Sequence, residues 1–470
     1  MTAATPPWAV LPPVRQGAPG GSVNELAMRM AALCADAVDA LEIAAGLEAD
    51  GINDEGAQVY GHDDVFSLAQ DLFDRSPRRP GSPEAVAGPW RGRPWRQLLR
   101  GVLFGLPGVC YVTAAPLLTR PAAGLVLVLS LLMSWTASQL VAYLGYVRLG
   151  RGDPGSARRV MRRALVVAVA VVGPLTVAAG LAMGSGHAAT ALAAGQCLYL
   201  LTATVALVGG AEPLLLLALL PGVCAGGIWA AGGGAVPSWV WTAWGVTVAA
   251  TTSLAIRCTA TGTRAGPAGG GTGVSRAELT AALPYAAFGL VAGGLLTLGE
   301  VCVLLGRAAP SAATTAGVLS LSLSMGGAEW LLYTYRGRAY RLLGHSPDLR
   351  VFVLGSRCLL AGVVALYLAV LAALAAGVAW AAGITSAGLP VFTGYLGLGG
   401  AFFVALLLQS CGHVGSVLAL CASALAVEAV TLWAGPAPDP ETVQAVAACG
   451  LFGVLLAYAS VALSRAACHR

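Results

Sequence analysis

The 470-residue sequence contains no lysine: all 27 basic residues are arginine, and Asp and Glu together number only 22. Charged residues make up 10% of the chain, against about 25% in an ordinary soluble domain. One water-soluble globule of this length is therefore excluded. Disorder is excluded as well, because a disordered chain is poor in apolar residues and this one is 57% hydrophobic. The want of lysine reads as the codon bias of a G+C-rich genome, with no physical meaning of its own. The eleven cysteines include no Cys-x-x-Cys pair and sit mostly in apolar runs, which leaves neither a metal nor a disulfide framework. They read as small buried hydrophobes. A basic start followed by a short apolar stretch is missing from the first 100 residues, so the first membrane helix is expected to act as the insertion signal.

What the chain does have is apolar runs of about 20 residues or more, the length a helix needs to cross a ~30 Å hydrocarbon core. An all-α polytopic membrane protein follows. Thirteen of the 22 acids fall in the first 100 residues, so a slightly acidic soluble part precedes an acid-poor membrane part. Residues 1–21 are Pro/Gly-rich and expected to be disordered. Ser22-Val-Asn-Glu25 has capping-box spacing and predicts one helix to about Ala49, with Leu26, Met30, Leu33, Val38, Leu41 and Ile43 apolar, ended by Asp50-Gly51. A second helix is predicted over Asp63–Asp74, where Val65, Phe66, Ala69, Leu72 and Phe73 form a stripe. Residues 22–75 thus make a small helical cytoplasmic module, and Pro77, Pro80 and Pro83 mark a linker over 76–99. The run Asp50–Glu55 hints at calcium, but the alternating oxygen ligands of an EF-hand are missing.

Twelve spans are predicted, over 100–119, 122–147, 164–184, 188–209, 213–232, 237–256, 279–306, 312–333, 351–381, 389–410, 413–434 and 442–464. The arginines orient them. Loops on the side of the N-terminal module hold sixteen, among them Arg148, Arg151, Arg158, Arg159, Arg162 and Arg163, then Arg336, Arg338, Arg341, Arg350 and Arg357. The opposite side has Arg120 and Arg307. By the positive-inside rule both termini, including the tail 465–470, are cytoplasmic in a bacterial inner membrane. Arginines gathered at helix ends also explain the net charge of +5 without nucleic acid as a partner.

An internal repeat runs through these spans. Val128-Leu-Ser-Leu-Leu-Met-Ser134 matches Val318-Leu-Ser-Leu-Ser-Leu-Ser324 at an offset of 190, which also pairs Tyr143 with Tyr333, Arg148 with Arg338 and Arg151 with Arg341. The matched segments lie six spans apart and so point the same way. The expected architecture is two parallel six-helix halves, 100–257 and 278–464, joined by a Gly/Thr-rich linker over 258–277. Parallel halves are a transporter design, with the substrate site between them. Pro107 and Pro116 in the first span and Pro284 in the seventh are candidate bends.

Acids inside a membrane are costly and usually face a cavity or a partner. Glu300 and Glu428 sit deep in the seventh and eleventh spans, while Glu329 lies near the cytoplasmic end of the eighth, two turns from Arg336. All three are candidates for proton or cation coupling or for contact with a polar cargo, with an ion pair favoured for Glu329. Arg357 shares a helix face with Arg350, where it either lines a cationic cavity wall for diphosphates and acidic sugars or snorkels to headgroups. Gln139 takes the place of Glu329 in the repeat, and Gln409 and His413 flank the turn between the tenth and eleventh spans, lining a cavity or bonding between helices. The Gly-rich strings 231–235 and 268–273 lack the context and the Lys of a phosphate-binding loop, and the spans offer no nucleophile set. Neither an enzyme nor a cofactor is expected.

The loop after the second span reads Leu149-Gly150-Arg-Gly152-Asp153-Pro-Gly-Ser-Ala157-Arg-Arg-Val-Met-Arg-Arg163. It resembles the pattern of the MOP flippases (multidrug, oligosaccharidyl-lipid and polysaccharide exporters), in which a helix ends in small residues, then Gly-Asp, then an Ala/Arg-rich stretch. The major facilitator pattern fits less well, because Leu149 stands where its loop wants an acid. The resemblance covers 128–170. It implies a flippase or exporter with a V-shaped cavity, carrying a lipid-linked oligosaccharide or polysaccharide or another amphiphilic cargo. A MATE-like ion-coupled drug antiporter is the alternative, although its characteristic acid is missing from 100–119. A third reading is a scaffold subunit of a polysaccharide synthase, with residues 22–75 docking a glycosyltransferase.

Overall fold

The computed structural model describes residues 22–37, 39–76, 94–114, 120–232, 236–260, 274–346, 348–384, 388–434, 439–465 and 468. The stretch 1–21, residues 77–93 of the Pro-rich linker, Pro116 and residues 261–273 lie outside the described residues. Among those described there are seventeen α-helices and no strand. The chain divides into two compact units, Met1–Gly88 and Pro89–Arg470.

The first unit holds α1 (Val23–Arg29), α2 (Ala31–Asp36), α3 (Ala40–Ala49), α4 (Asp54–Val59) and α5 (Val65–Arg75). Where one helix was expected from Ser22 to Ala49, three are found. The Ser22–Glu25 capping box does form. The chain then turns extended at Ala37, and Asp39 caps a new helix by accepting from the Glu42 N–H at 3.0 Å. A polar cap beside a break outweighs the apolar pattern that ran across it. Leu26, Ile43, Leu47, Leu68 and Leu72 make the core, whereas Leu41 and Phe66 are exposed. Asp64 caps α5, and its hydrogen bonds from Ser67 hold the carboxyl below its ordinary value of 3.8. The hydrogen bond from Arg75 does the same for Asp71. A carboxyl lowered on folding stabilises α5 above 3.8, and that contribution disappears as the pH falls through the lowered value.

The second unit holds α6 (Pro94–Ala114), α7 (Pro121–Gly150), α8 (Pro154–Ala182), α9 (His187–Val208), α10 (Glu212–Gly232), α11 (Ser238–Thr259), α12 (Arg276–Leu304), α13 (Ala312–His345), α14 (Leu349–Ala381), α15 (Leu389–Ser410), α16 (Val414–Ala434) and α17 (Pro440–Ala462). A helix lies over each of the twelve predicted spans, although α6 opens at Pro94 rather than at 100. In hydrocarbon the backbone has to satisfy its own hydrogen bonds, which selects helices. Among the described residues nine of these helices, all but α6, α11 and α13, are long and apolar enough to cross a bilayer. Outward-facing Val166, Val167 and Leu181 on α8, Leu354 and Leu366 on α14 and Val427 and Val430 on α16 suit lipid rather than water. This is a multi-pass membrane protein.

The helix pairings follow a pattern. Helix α6 packs on α10 and α13; α7 on α8, α9 and α12; α8 on α9; α9 and α10 on α11. Moving six places along the chain, α12 packs on α16 and α7; α13 on α14, α15 and α6; α14 on α15; α15 and α16 on α17. Each of these contacts in one series has its counterpart in the other, while the lesser α8–α11 and α12–α17 contacts are not matched to the same extent. The repeat serines obey the same exchange: Ser130, Ser134, Ser320 and Ser324 are all buried.

Two crossings join the series, α6 on α13 and α7 on α12, and each uses glycines four residues apart. A Cβ on Gly101 would sit 2.7 Å from the Leu323 carbonyl oxygen, and one on Gly105 would meet Leu323 Cδ2 at 2.5 Å. On α12, a Cβ on Gly289 would lie 2.9 Å from Gln139 Cγ and 3.3 Å from the Trp135 oxygen; on Gly293 it would lie 2.6 Å from Leu132. Gly326 faces Gly101 backbone to backbone. Small residues at this spacing let membrane helices approach closely. Gly326→Ala is therefore expected to cost about 1–3 kcal/mol by overpacking, whereas the adjacent Gly327→Ala, with open space around it, changes little. Thermal unfolding of the detergent-purified variants measures the difference, and equal midpoints would sink the assignment.

Candidate functional site

At the end of the second unit where α9 turns into α10, arginines from α6 meet two acids. Gly210, at φ +72°, makes the turn that puts Glu212 in the first turn of α10. There the positive end of the helix dipole favours a carboxylate. Glu212 is 1% exposed. Arg96 Nη2 donates to Glu212 Oε2 and to the Gly210 carbonyl, both at 2.5 Å. Arg100 donates to Glu212 Oε1 from Nε at 2.9 Å and from Nη2 at 2.7 Å. Its Nη1 bonds Glu329 of α13. Glu329 therefore makes the ion pair expected of it, but with Arg100 rather than Arg336, which donates to the Ser410 carbonyl. The reason is packing: α13 lays Glu329 against α6 through the Gly101–Gly326 approach.

The Gly-Asp loop builds a second network at the same end. Gly152, at φ +73°, closes α7, and Asp153 caps α8 by accepting from the Ser156 N–H at 2.8 Å. Only a residue comfortable in the left-handed region allows so tight a turn. The turn presents Arg148 and Arg151 to Glu278 at the start of α12. Arg148 Nη2 reaches Glu278 Oε2 at 2.5 Å and Arg151 Nη1 reaches Oε1 at 2.7 Å. Arg148 Nη1 also donates to Ser156 Oγ at 2.9 Å, and Glu278 Oε2 accepts from the Ser275 N–H at 3.2 Å. Gly150 is exposed beside the turn, and Arg338, the repeat partner of Arg148, is exposed on α13.

Away from these networks, Glu428 of α16 is 2% exposed and its Oε1 has no hydrogen-bond partner. The buried Tyr395 hydroxyl of α15 is likewise unpartnered. Glu300 lies on α12 and Glu428 on α16, two helices that pack together. A bare buried carboxylate is expensive, and two species neutralise it, a proton and a small cation.

The remaining predicted residues are dispersed. Arg357 is exposed on α14 with Nε donating to the Ser460 carbonyl at 3.3 Å, an arrangement that suits snorkelling better than a cavity wall. Gln139 packs on Gly289 at the α7–α12 crossing. Gln409 has a buried, unpartnered Nε2, and His413 faces Tyr458 and Cys468. Sequence reading missed Arg96, Arg100, Glu212 and Glu278. The one available signal was that Glu212 and Glu278 both open helices, where an acid is usually taken for a cap.

No family model matches the chain, and no curated protein matches it. Among solved structures it is similar to a crystal structure of MATE in the bent conformation, at 12% identity over 80% of this chain and 96% of that one, with a TM-score of 0.46. A crystal structure of MATE in complex with MaL6 gives 12% identity over 80% and 97%, with a TM-score of 0.46.

The two kinds of acid are expected to respond oppositely to removal. Glu212→Gln strands Arg96 and Arg100 and lowers stability by about 3 kcal/mol. Glu428→Met, similar in volume, replaces an unpartnered polar group and raises the thermal midpoint by about 2 °C or more. Midpoints in detergent test the pair, and a fall for Glu428→Met would show that its carboxylate has a stabilising partner.

Proposed function

We propose that this protein is an exporter or flippase that carries an amphiphilic cargo with a polar head, a lipid-linked oligosaccharide or polysaccharide, across the cytoplasmic membrane. The cargo passes through a cleft between two six-helix halves, 100–257 and 278–464, which opens to one face and then the other. The observation that carries this reading is the six-place exchange of helix pairings, in which α6·α13 and α7·α12 are the two crossings between halves. Both halves are then copies of one unit, and the surface between them is the natural place for a pathway. The Gly-Asp loop and its resemblance to the MOP pattern support the same reading. In it, the arginine-rich end is cytoplasmic, residues 76–99 and 258–277 are linkers, and the module 22–75 is the docking piece for a glycosyltransferase.

A second reading, ion-coupled antiport of a drug-like cation, draws on Glu428. A buried carboxylate whose Oε1 has no hydrogen-bond partner suits a site that is filled and emptied during a cycle. The two readings share this group, since export of a glycolipid also needs a driving force.

Proteoliposomes distinguish them. With a fluorescent polyprenyl-diphosphate oligosaccharide, the protein is expected to raise the dithionite-accessible fraction above that of empty vesicles, and Glu428→Gln or Glu300→Gln to lower the rate at least about tenfold. Ethidium efflux that follows an imposed proton or sodium gradient, with no glycolipid movement, would replace the first reading by the second. Movement of neither probe would overturn both.

A further inference from the structure

Among the described residues the ion pairs that cross from α6–α11 to α12–α17 are Arg100–Glu329, Arg148–Glu278 and Arg151–Glu278. All lie at one end of the unit, the end where α7 turns into α8 and α9 into α10. One network sits at each crossing. At the opposite end Arg307 stays within its own series, donating to the Leu432 carbonyl at 3.0 Å and lying 5.2 Å from the Trp433 ring centre. We propose that the two networks are a paired latch that holds the arginine-rich end shut in this conformation, and that they release together when that end opens. The proposal rests on the reading that the two series are the moving halves of a transporter.

The hydrogen bonds around each ion pair set it apart from a permanent strut. A pair meant to stay closed needs no second partner for its ions, because separation never strands them. Here Arg100, Arg148 and Glu278 keep one, while Glu329 and Arg151 have none among the described residues and rely on their exposure to water. Arg100 remains bonded to Glu212, which belongs to its own series and shares its charge with Arg96. Arg148 keeps Ser156 Oγ, and Glu278 keeps the Ser275 N–H of its capping box. Breaking the latch therefore leaves Arg100, Arg148 and Glu278 each with a hydrogen bond in place, which lowers the penalty that makes loss of a buried pair so costly. The interacting groups are also within reach of water: the Glu278 side chain is 13% exposed, Glu329 21% and Arg151 60%. Glu212, 1% exposed, is the anchor that stays put.

The fold also links the two releases. The α6–α13 and α7–α12 crossings join the same two groups of helices. If those groups move as units, neither crossing loosens alone. A pair of independent surface bridges would behave otherwise, each answering only for its own contact.

Hydrogen–deuterium exchange of the full-length protein in lipid nanodiscs reads this directly. Glu278→Gln removes charge at the α7–α12 crossing. It is expected to speed exchange about tenfold in peptides covering 95–105 and 325–335, at the crossing it does not touch, as well as in 144–153 and 276–285. Glu329→Gln is expected to give the reciprocal result. Should either variant fold poorly, the exposed Arg151→Gln is expected to give the same pattern at about threefold. Acceleration confined to the altered crossing, or none at either, overturns the latch. The exchange pattern does not depend on a cargo, so coupled exchange without glycolipid movement would retain the latch and discard the cargo, while glycolipid movement with uncoupled exchange would do the reverse.

Discussion

A charge taken out of water has to bring its counter-ion with it, and the polar architecture of the membrane unit follows from that requirement. The second unit has few acids; two of them sit at the crossings and a third braces one of the arginines that meet there. Glu212 anchors Arg96 and Arg100, Glu329 takes the remaining face of Arg100, and Glu278 takes Arg148 and Arg151. Because every one of these arginines is committed, the Arg-rich end is more than a topological signal. Arg148 and Arg151, two of the arginines expected from sequence to orient the chain, also join its two series of helices through Glu278.

The two crossings use this chemistry in opposite senses. On α13 the acid is Glu329 and the base comes from α6; on α7 the repeat position carries Gln139, and the bases at the end of α7 reach an acid on α12. Both crossings have glycines four residues apart, but at the repeat offset of 190 Gly101 and Gly105 fall on Val291 and Leu295, so the glycines, like the charges, do not follow the repeat. Arg338 illustrates the divergence. Its repeat partner Arg148 is bound by Glu278, while Arg338 itself is exposed.

A helix lies over each of the twelve predicted spans, but among the described residues hydropathy accounts for nine of them, since a run of about 20 apolar residues has one solution in hydrocarbon. The Gly-Asp loop was legible for a related reason: a left-handed glycine and a capping aspartate are local requirements of a tight turn, visible within five residues. What pattern reading could not reach were contacts set by tertiary packing. Arg100 meets Glu329 across 229 positions, and no periodicity links them. Glu329 was assigned an ion pair correctly but with Arg336, the arginine nearest in sequence. In the first unit the capping box at Ser22 was visible, yet the predicted helix ran on through Ala37, because an apolar stripe does not record where a later aspartate starts a new turn. Glu300 and Glu428 were picked out by depth alone, and the structure adds the unpartnered Tyr395 hydroxyl that sequence spacing gave no reason to include.

The paired glycines carry a mechanical consequence. At Gly101–Gly326 the backbones of α6 and α13 touch, and on α12 Gly289 lies against the Trp135 carbonyl. Bodies in contact at two fixed points cannot slide past one another or separate without losing one of them. The displacement left to them is rotation about the line through both points. If the two series are the moving halves of a transporter, that line runs through Gly101–Gly326 at one contact and Gly289 at the other, and a side chain added at any of them would meet the facing helix first.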